Sequence, residues 1–230
     1  MLYLKIIRLS FLESTHTQEA LILQCMLNGR GLSDSMLVFP PLKNQMSFIK
    51  EKYLAVAEKI LIKKAQKYKN IKILIRSDNS IKKGVNPHEV TFAHYNNIKA
   101  DFLFVFNPCL PLIKIRTIQK AIEYFKKTNF KSYTAGIKCR DWIFSDQHKS
   151  ITNKNPNNLT TNKGKEFFKA THAFHIIDLK RFKKNQKHWN FKRNDPHIIL
   201  MPEEEYIDID NHRDFEFGEF LYKKLYSKKI

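Results

Sequence analysis

The spacing of apolar and polar positions predicts alternating strands and helices along most of the chain. Apolar residues recur every three or four positions within residues 51–69, which predicts an amphipathic helix. Residues 101–106 are apolar from the second position onward, which predicts a strand covered on both faces. Further strands are predicted at residues 3–9, 71–75 and 171–179, and further helices at 115–127 and 213–224.

This alternation of strands and helices predicts one α/β domain, residues 1–230, built on a doubly wound and mostly parallel sheet. Ligands of such sheets bind beyond the carboxyl ends of the strands. We therefore expect function in the loops that begin at Ser77 and at Asn107. Residues 147–165 are polar and rich in Asn, Thr and Lys, and they predict a loop or an insertion.

Composition narrows the class of protein. The chain has 230 residues, 43% of them apolar, which is enough for a sizeable core. It has no long uninterrupted apolar run, so we expect no membrane insertion. Cys25, Cys109 and Cys139 are scattered, so we expect neither disulfides nor a cysteine metal site, and we expect a cytoplasmic protein.

The formal charge of +19 indicates which classes of partner the protein could bind. Such a surface attracts nucleic acid, an anionic membrane or a small anionic substrate. The alternative is a compositional bias towards lysine along the whole chain. Residues 180–193 add Phe182, Trp189 and Phe191 to seven Lys or Arg, the ingredients of nucleic-acid binding, but a solvated helix and loop is the interpretation we prefer.

Two aspartates stand close together near the end of this acid-poor chain. Asp208 and Asp210 are two residues apart, so on an extended segment they point the same way. Together they could hold Mg²⁺, which prefers oxygen ligands. The alternative is a solvated strand end at which Asp210 or Asn211 caps the next helix.

Two histidines have a spacing that would suit a metal on a helix. His172 and His175, however, fall on the predicted strand 171–179. Residues three apart on a regular strand face opposite sides of the sheet, so we expect no metal shared between them.

Four stretches, in the same order, resemble acylneuraminate cytidylyltransferases, the CMP-sialic acid synthetase type. They are Ser77-Asp78, the segment 106–112 (Phe-Asn-Pro-Cys-Leu-Pro-Leu), the segment 166–177, and Ile207-Asp208-Ile209-Asp210 followed by Asp214-Phe215. The resemblance implies a nucleotide-diphospho-sugar transferase-like fold. It also implies transfer of CMP from CTP to an acidic sugar for surface glycans, with release of pyrophosphate.

The resemblance assigns roles to residues of this chain. It implies that Asp208 and Asp210 hold Mg²⁺ and carry catalysis, and that Asn107 and His172 contact base or sugar. It further implies a homodimer formed through an inserted segment at about residues 136–166.

The family's phosphate loop, Arg-x-Gly-Ser-Lys followed by Lys-Asn, has only a partial match here. The nearest match is Arg30-Gly31-Leu32-Ser33-Asp34, with Lys43-Asn44 further along the chain. The nucleotide contacts implied by the resemblance are Arg30, Ser33, Lys43, Asn44, Ser77 and Asp78. Because Asp34 stands where the family has lysine, one alternative is a degenerate relative that binds nucleotide, sugar or a partner protein without turnover. A second alternative, nucleic-acid binding, depends on charge alone, and we do not expect it.

Overall fold

The computed structural model describes residues 34–39, 51–57, 59, 62–63, 66, 72–81, 88–107, 109–157 and 159–226. The predicted strand at 3–9 and the predicted nucleotide contacts Arg30, Ser33, Lys43 and Asn44 lie outside these residues. The strands are β1 Asp34–Phe39, β2 Glu51–Val56, β3 Lys72–Ile75, β4 Phe102–Phe106, β5 Ser132–Cys139, β6 Phe167–Asp178 and β7 His197–Leu200. The α-helices of the described residues are α1 His88–Thr91, α2 Ile115–Lys127, α3 Leu179–Asn185 and α4 His212–Tyr226.

The seven strands form one sheet in the order β3-β2-β1-β4-β6-β5-β7. The pairs β2–β3 and β5–β7 are parallel, and the other four pairs are antiparallel. Consequently β2, β3, β4, β5 and β7 all run one way, while β1 and β6 run the other way. The predicted α/β fold with a mostly parallel strand direction is confirmed, and so are the predicted strands at 71–75 and 101–106. We call the edge at which the five like-directed strands end the carboxyl edge.

The predicted helix at 51–69 is wrong at its start, where the structure has β2. This strand pairs antiparallel with β1 and parallel with β3. Its last two residues, Ala55 and Val56, are buried. A short apolar run is compatible with either a helix or a strand, and pairing within the sheet decides between them here.

Two of the described helices match their predictions. Helix α2 covers the predicted residues 115–127, and α4 contains the predicted residues 213–224. Helix α2 packs its apolar stripe on the sheet, with Ile118, Ala121 and Phe125 buried. No helix among the described residues is long and apolar enough to cross a membrane.

Strand β6 begins at Phe167, before the predicted strand 171–179, and it carries a bulge. The register of its pairing with β5 shifts between Thr134 and Gly136. Inside this irregularity His172 has a φ of 56°, in the left-handed region. An odd shift in register reverses which side chains share a face, so the simple alternation of a strand fails beyond this point.

Apolar clusters cover both faces of the sheet, and a third cluster lies beside it. One face packs Phe104, Phe106, Phe174 and Ile176 against α2. The other face packs Leu103, Val105 and Ile177 against Tyr95, Leu179 and Phe182. The third cluster joins Leu112, Ile207, Ile209 and Phe215. This third cluster fixes the segment 207–210 between the loop that follows β4 and helix α4.

The basic segment 180–193 is helical only in α3, and a buried ion pair holds the loop after it. Arg181 donates to Asp195 at 2.8 Å and to the carbonyl of His188 at 2.7 Å. Asp195 also accepts from Ser132 at 2.6 Å and from Asn190 at 3.1 Å. Burial raises the pKa of Asp195, but these hydrogen bonds and the Arg181 charge outweigh it and leave the pKa below its usual range.

The predicted insertion at 136–166 begins within β5 and leads through irregular chain to β6. A single bridge pairs Phe144 with Ser150, and a short 3-10 turn covers Thr161–Lys163. Ile143 and Phe144 are exposed, whereas Trp142 is half-buried. The polar stretch predicted as a loop at 147–165 has no α-helix or longer strand among its described residues.

Candidate functional site

The chain leaves β4 at the carboxyl edge through a turn that Asn107 organises. The Asn107 N–H donates to the carbonyl of Ala173 at 3.0 Å, which ties the turn to β6. The side-chain oxygen of Asn107 accepts from the N–H of Cys109 at 3.0 Å. This local bond is typical of asparagine in turns, and it leaves the side-chain NH₂ as the group that could face a ligand.

The segment with the two aspartates docks directly on this turn. The N–H of Ile209 donates to the carbonyl of Cys109 at 2.9 Å. Ile207 and Ile209 are buried, being 8% and 0% exposed. Since side chains alternate along an extended segment, Asp208 and Asp210 both project away from this cluster. The structure therefore brings the aspartate pair to the end of β4, where Asn107 lies.

The start of helix α4 fixes the backbone beside the pair without using either carboxylate. The side-chain oxygen of Asn211 accepts from the N–H of Asp214 at 3.2 Å. The Asp214 carboxylate accepts from the N–H groups of Asp210 and Asn211 at 3.1 and 3.2 Å. This reciprocal arrangement is a capping box. The capping predicted for this region thus falls to Asn211 and Asp214, which leaves Asp208 and Asp210 to other partners.

Asp208 is the electrostatically strained member of the group. Burial first, and then the charges of Asp210 and Asp214, raise the pKa of Asp208 to about 6. Its Oδ1 atom is buried and has no hydrogen-bond donor among the described residues. A cation between the carboxylates would lower the pKa of Asp208, because its attraction for the ionised carboxylate offsets the cost of burial and the like-charge repulsion.

The donor set limits what could be bound there. Within the described part of the chain, no three or more His, Cys, Asp or Glu side chains converge to form a metal site. A metal at this place would therefore take Asp208 and Asp210 and complete its shell with water and substrate. That composition fits Mg²⁺, which keeps several waters and is commonly held by one or two carboxylates plus phosphate oxygens.

His172 precedes Ala173, whose carbonyl accepts from the Asn107 N–H, and the predicted orientation of His172 relative to His175 is wrong. Their ring centroids are 5.4 Å apart, so both rings lie on the same side of the sheet. The bulge in β6 is the reason, since it reverses the alternation between the two positions. Burial lowers the pKa of His172. Burial, and then His172, lower the pKa of His175 to about 3.

The roles of the two rings differ. His175 Nδ1 hydrogen bonds to the Thr134 hydroxyl at 2.9 Å, so it is held inside the sheet. His172 keeps an exposed surface, while its ring is partly covered by stacking on Trp189, with ring centroids 5.7 Å apart. A neutral imidazole donates one hydrogen bond and accepts another, which suits a sugar hydroxyl. Trp189, from the basic segment, is a neighbour that sequence reasoning did not place here. Only its aromatic character in a polar run could have indicated it.

Ser77 and Asp78 lie at the same carboxyl edge, but they follow β3, the outermost strand on one side of the sheet. Both side chains are exposed, and Asp78 begins a short 3-10 turn. Strand β3, which precedes them, is three positions from β4 in the sheet. At the usual spacing between strands this is roughly 14 Å. The structure thus brings Asn107, Asp208 and Asp210 to the end of β4, with His172 on the neighbouring strand β6, and leaves Ser77 and Asp78 apart from them.

Comparison with known proteins bears on the fold. No protein-family model matches the chain, and no curated protein matches it. Among solved structures, 4-diphosphocytidyl-2C-methyl-D-erythritol synthase from Anaerococcus prevotii has a TM-score of 0.55 and 16% identity, over 76% of this chain and 82% of that one.

Two further solved structures are less similar. Bifunctional IspDF from Campylobacter jejuni has a TM-score of 0.44 and 16% identity, over 70% of this chain and 40% of that one. The 2-C-methyl-D-erythritol 4-phosphate cytidylyltransferase of Francisella tularensis has a TM-score of 0.45 and 13% identity, over 67% of this chain and 73% of that one. Both of these TM-scores are below 0.5, so the comparison of folds uses the Anaerococcus protein alone. The likeness to the Anaerococcus protein shows that this chain shares the α/β fold of that protein.

Proposed function

We propose that the chain is a Mg²⁺-dependent cytidylyltransferase that transfers CMP from CTP to an acidic sugar and releases pyrophosphate. The fold shared with a solved 4-diphosphocytidyl-2C-methyl-D-erythritol synthase supports the nucleotidyl transfer. The acidic sugar, and its use in surface glycans, is proposed from the four stretches that resemble acylneuraminate cytidylyltransferases. The product would be a CMP-sugar.

The observation that carries this proposal is the aspartate pair at the end of β4. The hydrogen bond from Ile209 to Cys109 and the capping box of α4 hold Asp208 and Asp210 on one side of the segment. Asp208 is half-buried, with an unpartnered Oδ1 and a raised pKa. A fold seldom maintains such a carboxylate for stability alone, since it costs free energy until a cation binds.

The proposed reaction needs positioning and charge neutralisation more than covalent chemistry. A hydroxyl oxygen of the sugar forms a bond to the α-phosphorus of CTP, and the bond from that phosphorus to the β-phosphate oxygen breaks. Pyrophosphate leaves, and the hydroxyl proton passes to solvent. Asp208 and Asp210 would hold Mg²⁺, which when bound offsets negative charge on the phosphate oxygens. Asn107, through its side-chain NH₂, and His172, through its imidazole, would orient base or sugar.

The nucleotide would extend along the carboxyl edge. We propose Ser77 and Asp78 as contacts at the β3 end of that edge. Arg30, Ser33, Lys43 and Asn44, outside the described residues, remain the proposed contacts of the phosphates.

Calorimetric titration of CTP into the protein tests the metal-dependent site. We expect binding in Mg²⁺ that is lost in EDTA and in the variants Asp208→Asn and Asp210→Asn. Asp146→Asn is the matched control, because Asp146 is an exposed aspartate of the loop 140–166. Binding that is equally tight in Mg²⁺ and in EDTA would contradict the metal site. Tight Mg²⁺-dependent binding with no turnover of any acidic sugar would favour the degenerate relative instead.

We also propose a homodimer, formed through the segment at about 136–166. The resemblance implies this interface. The exposure of five large apolar side chains in and beside the segment supports it, because exposed apolar clusters commonly mark interfaces. These residues are Ile143, Phe144, Ile151, Leu159 and Phe168.

A further inference from the structure

A buried arginine lies at the end of β3, and no described residue is its counter-ion. Arg76 is 2% exposed. One terminal nitrogen, Nη2, donates to the carbonyls of Ser80 at 3.0 Å and Thr91 at 3.3 Å. The atoms Nε and Nη1 are buried and have no hydrogen-bond acceptor within the described part of the chain. Three of the five N–H groups of a guanidinium are carried by these two atoms, so most of its donor capacity is unused.

The surroundings of Arg76 increase the cost of its charge. No carboxylate of the described residues forms an ion pair with it. His94, which is 5% exposed, is neutral there: burial, and then the charge of Arg76, lower the pKa of His94 to about 3. The two carbonyl acceptors are neutral as well. A charge removed from water is tolerated only when it is paired and hydrogen-bonded, and Arg76 meets neither condition fully.

The same chain holds a second arginine that has an anionic partner, although its Nε is likewise buried without an acceptor among the described residues. Arg181, mostly buried, forms a 2.8 Å ion pair with Asp195, and its second terminal nitrogen donates to the carbonyl of His188. Asp195 in turn accepts from Ser132 and Asn190. Arg76 differs from Arg181 in having no anionic partner among the described residues.

We propose that Arg76 is the cationic centre of an oxyanion-binding site at the end of β3. The ligand is a phosphate or carboxylate group that accepts hydrogen bonds from Nε or Nη1 and supplies the missing negative charge. The site lies at the carboxyl edge, where ligands of such sheets bind. Ser77 and Asp78, the next two residues, are exposed. The site is separate from the aspartate pair and does not depend on turnover of CTP.

The test is thermal unfolding of the full chain in EDTA, with sodium phosphate or sodium malonate compared with sodium chloride at equal ionic strength. We expect a saturable rise in Tm with at least one oxyanion. Phosphate alone would identify a phosphate site, and malonate alone a carboxylate site. Arg76→Met should abolish the saturable rise. Without anions this variant should be at least as stable as wild type, because it removes an unpaired buried charge.

Arg181→Met is the matched control. It should lower the Tm, because it leaves Asp195 buried without its cation, yet it should keep the rise with the oxyanion. Phosphate also stabilises proteins non-specifically, so an equal rise in wild type and Arg76→Met would overturn the proposal. A wild type with no rise over chloride would overturn it as well.

A second variant covers the case in which Arg76→Met does not fold. Arg76→Lys keeps the charge but loses the extended set of N–H donors. We expect it to weaken binding of the oxyanion by at least about tenfold. Undiminished affinity in Arg76→Lys, measured by titration calorimetry, would contradict the site. Asp208→Asn should bind the oxyanion as wild type does in EDTA, so failure of this site and failure of the proposed reaction are distinguishable.

Discussion

The aspartate pair makes a prediction about stability that is independent of any assay of turnover. Asp208→Asn should raise the free energy of unfolding at neutral pH, in EDTA, by up to about 3 kcal/mol. Burial, and then the charges of Asp210 and Asp214, raise the pKa of Asp208 from 3.8 to about 6. A shift of about two pKa units corresponds to about 3 kcal/mol. Asparagine has nearly the same shape and carries no charge, so it avoids this cost.

The sign follows from proton linkage. The folded state binds the Asp208 proton more tightly than the unfolded state, so stability falls as the pH rises from 3.8 towards about 6 and then stays low. The gain from Asp208→Asn should therefore be present at neutral pH and disappear at pH values below 3.8.

Urea unfolding of wild type and Asp208→Asn at neutral and acidic pH measures the gain in stability and its pH dependence. Asp146→Asn, at an exposed aspartate, should show no such gain at either pH. Mg²⁺ with CTP should stabilise wild type and not Asp208→Asn. An Asp208→Asn protein no more stable than wild type at neutral pH would refute the reasoning, because it would mean that the carboxylate is not strained.

Three further predictions concern other parts of the chain. Because hydrogen bonds hold the pKa of Asp195 below its usual range, wild type should lose stability as the pH falls below about 4, and Asp195→Asn should flatten that part of the profile of Tm against pH. Gly136→Ala should destabilise by about 1–3 kcal/mol in urea unfolding, because the added Cβ would lie 2.5 Å from Cγ2 of Ile198. Light scattering should give twice the 27.3 kDa of one chain. Phe144→Asp should give the monomer, whereas Phe217→Asp, at an equally exposed phenylalanine of α4, should not; a wild-type monomer would remove the dimer.

The sequence could predict the fold where one signal dominated. Residues 102–106 are all apolar, which favours a central strand, while residues 115–127 show one apolar stripe, which favours a helix. Residues 51–56 are compatible with both a helix and a strand, and only the pairing of β2 with β1 and β3 shows that they form a strand. Pairing partners far along the chain are not visible in local periodicity.

The site was predicted in part. The spacing of Asp208 and Asp210 was enough to place both carboxylates on one side of an extended segment. The side shared by His172 and His175 was not predictable, because the bulge in β6 arises from pairing with β5 and not from any residue at the bulge itself. The unpaired charge of Arg76 was equally hidden, since its burial and its lack of an ion pair among the described residues are properties of the folded chain.

Pyrophosphate release is the measurement that tests the central claim most directly. The protein would be incubated with CTP, Mg²⁺ and each of a panel of acidic sugars, with ATP, GTP and UTP as competing nucleotides. We predict release that requires CTP, one of the sugars and Mg²⁺, that is lost in Asp208→Asn and Asp210→Asn, and that persists in Asp146→Asn. Release that continues in EDTA or in Asp208→Asn would contradict the account, as would no release with any pairing of nucleotide and sugar.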